Sequence, residues 1–175
     1  IMKSLNKDEE QAIIYLFPDK VAVEAGDILI MTKLLSGEYP DVDKVIPKQA
    51  SQCVALHKDE LLQLLRQIAV FTNDQTHSVR FKFMPGELQL TANSMDIGEG
   101  RVSMPVNYQG PRFDIAFNPQ FFIDLLRHSK NEIVSMGFSD SYNPGIFADA
   151  AVVNFDDSRN ISPLFVLMPM RLGDE

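Results

Sequence analysis

The feature that most constrains this chain is an internal repeat. Residues 51–56 (Ser-Gln-Cys-Val-Ala-Leu) read as a short strand. Residues 58–71 then place Leu61, Leu62, Leu64, Leu65, Ile68, Ala69 and Phe71 at helical spacing. Three strand-like runs follow. Val79, Phe81 and Phe83 alternate with polar neighbours, Pro85-Gly86 makes a turn, Leu88 and Leu90 alternate with Gln89 and Thr91, and a third run covers 97–107. The pattern then restarts. Residues 112–117 alternate like a strand, and Asn118-Pro119 is a strong helix start, because Asn caps free N–H groups and Pro suits the first helical position. Phe121, Phe122, Leu125 and Leu126 supply an apolar stripe, and Lys130-Asn131 closes the helix. Strands at 132–138, 145–154 and 163–169 complete the unit.

Each half therefore reads strand, helix, strand, strand, strand, and each helix has one apolar stripe to bury. The expected fold class is α+β, with antiparallel sheets and both helices on one face. Residues 1–47 read as the end of a third copy: Ile1–Leu5 as the last turn of a helix, then strands at 11–16, 20–25 and 28–35, separated by Pro18-Asp19 and Ala25-Gly26-Asp27. The expectation is that the sequence starts inside a domain. The plainer alternative is a three-stranded appendage on a single domain.

Composition narrows the function. The 175 residues are 45% hydrophobic and 23% charged, so whole-chain disorder does not fit. No apolar run approaches the ~20 residues of a membrane helix. No signal peptide is visible, and the single cysteine, Cys53, excludes an internal disulfide; both fit a reducing cytoplasm. A net charge of −8 disfavours a generic nucleic-acid coat, although basic residues gathered on one face can still meet DNA. A search for catalytic chemistry returns little. His57, His77 and His128 have no carboxylate or nucleophile at a motif spacing, and there is no Gly-rich phosphate loop or nucleophile elbow. Asp41, Asp43 and Asp140 are imaginable as metal ligands or as the carboxylates of a small enzyme, but loop aspartates more often form turns, and Asp156-Asp157 reads the same way. Cys53 falls on a strand and reads as a small hydrophobe. No cofactor is expected.

Two segments are more specific. One is Leu34-Leu35-Ser36-Gly37-Glu38-Tyr39-Pro40-Asp41, continuing to Val45-Ile46-Pro47-Lys48. The other is Val166-Leu167-Met168-Pro169-Met170-Arg171-Leu172. Together they resemble the bacterial sliding clamp, the beta subunit of DNA polymerase III, whose middle and last domains are joined by a Gly-x-Phe/Tyr-Pro-Asp stretch and which ends in Met-Pro-Met-Arg-Leu or a close variant. Thr91-Ala92-Asn93 and Phe117-Asn118 are similar to it as well. The resemblance implies the DNA-clamp fold, with residues 1–47 as the C-terminal half of a middle domain plus connector and 48–175 as a complete last domain. It also implies a processivity factor and not an enzyme. In the intact family two protomers close into a homodimeric ring around duplex DNA, and replicative polymerase and clamp loader dock through short peptide motifs. The alternative is a free-standing peptide-binding module that never encircles DNA.

The resemblance implies three sets of residues. Pro40, Lys44 and Val45 from the connector, Thr76, Asn118, Phe121 and Tyr142 from the last domain, and Val166, Met168, Pro169, Met170 and Arg171 from the terminal strand would form an apolar peptide pocket. Two methionines flanking a proline give a soft surface suited to several partners. The family often has a bulkier apolar residue where Thr76 stands and an arginine where Lys44 stands. The plainer reading makes Val166 and Met168 strand core and Met170 a frayed tail. Lys58, Arg66, Arg127, His128 and Lys130 on the two helices would face DNA phosphates; otherwise they are an ordinary solvated helix face. Val70 and Phe71 match a ring-interface position; otherwise they are core.

Overall fold

Strand alternation, two amphipathic helices and tight turns generate the architecture. A computed structural model describes residues 11–39, 41–72, 77–151, 155, 161 and 163–171. The chain divides into two compact units, Ile1–Pro40 and Asp41–Glu175.

In the first unit, β1 (Ile13–Leu16), β2 (Lys20–Ala25) and β3 (Ile28–Lys33) form an antiparallel meander in that order. The Pro18-Asp19 turn is closed by Phe17 N donating to Lys20 O at 2.9 Å, and Leu34 N donating to Asp19 O at 2.8 Å continues the pairing of β2 with β3. The sequence pattern extends the third strand through Leu34 and Leu35. In the structure both lie beyond it and are exposed.

The second unit opens with a four-residue helix, α1 (Val42–Val45), for which the sequence carries no periodic signal. Then come β4 (Gln52–His57), α2 (Lys58–Ala69), β5 (Val79–Met84), β6 (Glu87–Ser94) and β7 (Gly98–Pro105). The second copy follows as β8 (Phe113–Phe117), α3 (Pro119–His128), β9 (Ile133–Phe138), β10 (Gly145–Ala148) and β11 (Leu164–Leu167). The expected strand at 145–154 is shorter, and residues 152–154 lie outside the described set.

The two copies are interleaved. One sheet runs β7-β6-β5-β8 and the other β11-β10-β9-β4, all neighbours antiparallel. The first strand of each copy thus completes the sheet of the other: Cys53 sits opposite Gly137, and Phe81 opposite Ile115. Gly86, at φ 81°, makes the hairpin turn between β5 and β6, and its N–H donates to Tyr108 O at 2.9 Å.

The interleaving yields one shared core. Leu61, Leu65 and Ile68 of α2 and Phe122, Ile123, Leu125 and Leu126 of α3 are its helical contribution, and the two helices pack against each other. Phe122 stacks on Phe81 of one sheet (centroids 5.0 Å apart) and meets Phe147 of the other edge-on (4.9 Å). Burial of such a ring stabilises the fold by about 1.5–3 kcal/mol. Alternation on β10 and β11 sends Phe147, Phe165 and Leu167 to this core. Ile146, Ala148, Leu164 and Val166 turn to a smaller cluster on the opposite face, with Phe155, Ala50 and Cys53.

Candidate functional site: an apolar edge segment and the cations of the helix pair

The Asn118 cap forms as the sequence predicts. Its Oδ1 accepts from Gln120 N at 2.9 Å, which fixes the first turn of α3. That turn carries Phe121 outward, 61% exposed, while Phe122 and Ile123 turn inward. On the opposite sheet, β11 is an edge strand whose Val166 and Leu167 pair with Ile146 and Gly145. Beyond it the chain leaves this sheet and crosses to the edge of the other. Met170 N donates to Ala116 O at 2.7 Å, two residues before the Asn118 cap. Met168-Pro169-Met170 therefore bridges the free edges of both sheets. Val166, Pro169 and Met170 are half-buried, Arg171 is exposed, and Met168 is 57% exposed.

Tyr142 is three residues ahead of Gly145, the partner of Leu167, and its side chain is exposed. Asp140 holds its loop. One carboxylate oxygen accepts from Tyr142 N (2.8 Å) and Asn143 N (2.7 Å), and the other accepts from Asn143 Nδ2 (2.6 Å). These hydrogen bonds, that from the Asn143 side chain foremost, keep the Asp140 carboxyl below its ordinary value. Asp140 is thus a turn former. Asn118 and Phe121 follow β8 at the start of α3, Tyr142 precedes β10, and Val166, Met168, Pro169 and Met170 lie on or just beyond β11, with Val166 turned to the smaller cluster. Lys44 and Val45 belong to α1, where Val45 is exposed and Lys44 pairs locally with Asp41 at 3.0 Å. Pro40 and Thr76 lie outside the described residues.

One signal in the sequence supports this surface and is found only by aligning the copies. Val102-Ser103-Met104-Pro105-Val106 repeats the pattern of Val166-Leu167-Met168-Pro169-Met170, and each closes its copy on an edge strand. Met104 stays in strand register opposite Leu88 and is 2% exposed, whereas Met168 lies past the end of β11 and is open. The shared motif falls on opposite faces of the two strands: Val102 and Met104 face the shared core, whereas on β11 Phe165 and Leu167 do so and Val166 faces away.

The basic candidates lie on or beside the paired helices. Arg66 and Arg127 flank a groove of about 370 Å³ between α2 and α3, lined also by Ala69, Val70, Gln120 and Ile123. Arg127 pairs with Asp124 at 3.2 Å, and His128 Nδ1 lies 2.7 Å from Asp124 O. Lys58 Nζ donates to Ser129 O at 3.5 Å, and Lys130 is exposed. Val70 is exposed at the groove, while Phe71 is half-buried against the core, beside Gly100 of β7. Asp149, which carries no motif signal, is buried and accepts from Ser129 Oγ, Lys130 N (2.8 Å) and Asn131 N (3.0 Å). No helix among the described residues is long and apolar enough to cross a membrane.

Comparison with known proteins gives a consistent answer. The family model for the C-terminal domain of the DNA polymerase III beta subunit matches residues 43–165. The beta sliding clamp of Chlamydia pneumoniae is 55% identical over 168 residues, covering 96% of this chain and 43% of that protein. That of Escherichia coli K12 is 27% identical over 172 residues, covering 98% and 45%. The crystal structure of the DNA polymerase III beta subunit from Thermotoga maritima superposes with a TM-score of 0.68 at 27% identity, covering 91% of this chain and 41% of its own. This chain spans less than half the length of these relatives. With its interleaved repeat and its Met-Pro-Met-Arg segment, the chain belongs to the bacterial sliding clamp family and carries the C-terminal domain that defines the DNA polymerase III beta family model.

Proposed function

We propose that this chain serves as the C-terminal part of a sliding-clamp processivity factor, which tethers DNA polymerase to duplex DNA and docks partner peptides on an apolar surface. In this reading residues 1–47 are the latter half of a middle clamp domain plus connector, and 48–175 are the last domain. The protein is cytoplasmic and performs no catalysis of its own. The observation that carries the reading is the Met168-Pro169-Met170 bridge between the two sheets, with Met168, Phe121 and Tyr142 each exposed. Its apolar surface is held in place at both ends, so a peptide bringing two large apolar side chains meets a preorganised site. Burying those side chains supplies roughly 3–6 kcal/mol before ordering costs. Val45, Val166 and Met168 serve the apolar pair, Arg171 and Met170 flank the mouth, and Lys44 and Arg171 meet an acidic or carbonyl group of the peptide. Replicative polymerase and clamp loader are the expected partners.

The helix pair faces the DNA. Lys58, Arg66, Arg127, His128 and Lys130 offset the acidic surface there and attract phosphates without reading bases. Phe71 lies beside Gly100 of the edge strand β7, and with the exposed Val70 it is proposed to meet a second protomer when the ring of the intact protein closes. Encirclement needs little direct affinity. The expected result for the 175-residue chain on linear duplex is weak, salt-sensitive binding, on the order of 10⁻⁴–10⁻⁶ M. Fluorescence anisotropy measures it. Tight binding in moderate salt would argue against tethering by encirclement.

A further inference from the structure

Asp149 is a buried carboxylate that neither peptide docking nor ring closure uses. It follows β10, and the segment is anchored because Ser135 Oγ of β9 donates to Ala150 O at 2.8 Å. From this platform the carboxylate meets the chain where it leaves α3. Ser129 Oγ and Asn131 N donate to Oδ1, Lys130 N donates to Oδ2, and Asn131 Nδ2 donates to the Asp149 carbonyl. The same turn is tied to α2: Lys58 N donates to Glu132 O at 2.9 Å, and Lys58 Nζ reaches Ser129 O. One buried anion thus fixes the exit of one helix, to which the first residue of the other is hydrogen-bonded. The cations Lys58, Arg127, His128 and Lys130 all sit on or within two residues of this tie.

We propose that Asp149 is a positioning residue for the DNA-facing cations, holding the 129–131 turn so that Lys130 and the last turn of α3 project from a fixed place beside Lys58. This inference rests on the reading that the helix pair faces DNA. Its distinguishing consequence is one of sign. Removing an acidic charge near a phosphate-binding surface strengthens DNA binding if charge alone matters. Asp149 acts through geometry, so its removal weakens binding. An Asn at 149 retains one acceptor oxygen and sets its NH2 against either the Lys130 N–H or the Asn131 N–H, so that one of the two donors loses its acceptor.

The test is duplex binding by anisotropy across a salt series, using the full chain as wild type, Asp149→Asn and Asp124→Asn, the last removing an exposed acid from α3. Asp124→Asn is expected to bind more tightly. Asp149→Asn is expected to bind on the order of tenfold more weakly at about 50 mM salt, with a log–log salt slope shallower by about one contact. Amide exchange at Lys130 and Asn131 should quicken in Asp149→Asn while core amides such as Phe81 stay protected. If Asp149→Asn does not fold, Ser129→Ala is read instead, with the same direction and a smaller size. Binding by Asp149→Asn equal to or tighter than wild type overturns the positioning role and leaves the DNA reading standing. A wild type with no salt-dependent binding sinks the DNA reading itself, and unchanged exchange at 130 and 131 then also removes the positioning role.

Discussion

Met104 and Met168 allow the docking surface to be tested within one molecule. Both occupy the Val-x-Met-Pro position of their copy. Met104 is 2% exposed and belongs to the shared core, so truncation to Ala forfeits its transfer energy and leaves a cavity, about 2–5 kcal/mol. A loss of ~3 kcal/mol lowers the melting temperature by roughly 6–12 °C in a chain of this size. Met168 is 57% exposed, and Met168→Ala forfeits only part of the transfer term, costing about 1 kcal/mol or less. Its effect should fall on binding. As a central apolar anchor, Met168→Ala weakens a clamp-binding peptide, one with a glutamine and a pair of large apolar residues, by about 1–3 kcal/mol. That is roughly 5- to 150-fold in Kd. Isothermal titration paired with a thermal melt reads both quantities. If Met168→Ala melts as early as Met104→Ala and the residual affinity is unchanged, Met168 is core and the site assignment is wrong.

Three further outcomes are expected. Gly100→Ala places a methyl 2.5 Å from the Phe71 ring and 2.9 Å from Ile68, so it should displace Phe71 and cost about 1–3 kcal/mol in chemical denaturation; an unchanged midpoint would contradict the packing of β7 on α2. Burial pushes the Cys53 thiol up to about 11, leaving about 0.1% thiolate at pH 8, so its reaction with a disulfide reagent should speed up greatly on unfolding; fast native labelling would refute the half-buried setting. For Asp149, burial raises the carboxyl pKa, but hydrogen bonds from Ser129, Lys130 and Asn131 and the charge of Lys58 outweigh it, and the net shift is below the ordinary 3.8. The unfolded chain then binds the extra proton, so this stabilisation is present above 3.8 and is lost as pH falls further. Asp149→Asn should flatten that acid limb in urea titrations, and an identical limb in both proteins would remove Asp149 from the account.

Much of the fold is legible in the residues. The α2 and α3 stripes, the Asn118-Pro119 start and the alternation of Val79, Phe81 and Phe83 each follow from a local period or a local hydrogen bond. What they leave open is partner choice. Alternation says that Val54 and Leu56 face a core, and nothing in residues 52–57 says that β9 lies beside them instead of β5. The site divides the same way. Asn118 declares its role through capping chemistry, and the Met-Pro-Met-Arg segment through its likeness to a family. The contrast between Met104 and Met168 is invisible in either motif, because it depends on which face of each edge strand meets the core: Met104 is in phase with the inward Val102, and Met168 with Val166, which faces away. Asp149 is equally silent: its four donors come from residues 129–131, far back in the chain.

The exchange of first strands has a consequence for synthesis. A ribosome delivers β4 well before its partner, since His57 pairs with Ile133, 76 residues later. At ~5–20 residues per second, β4 waits roughly 4–15 s with Val54 and Leu56 uncovered. The first copy cannot close meanwhile, because β8, the remaining strand of its sheet, is also still to come. Neither copy is a foldable half. A nascent chain stalled between Val106 and Arg112 would expose unpaired edges and apolar faces, the state that chaperones recognise and that aggregates when they are absent.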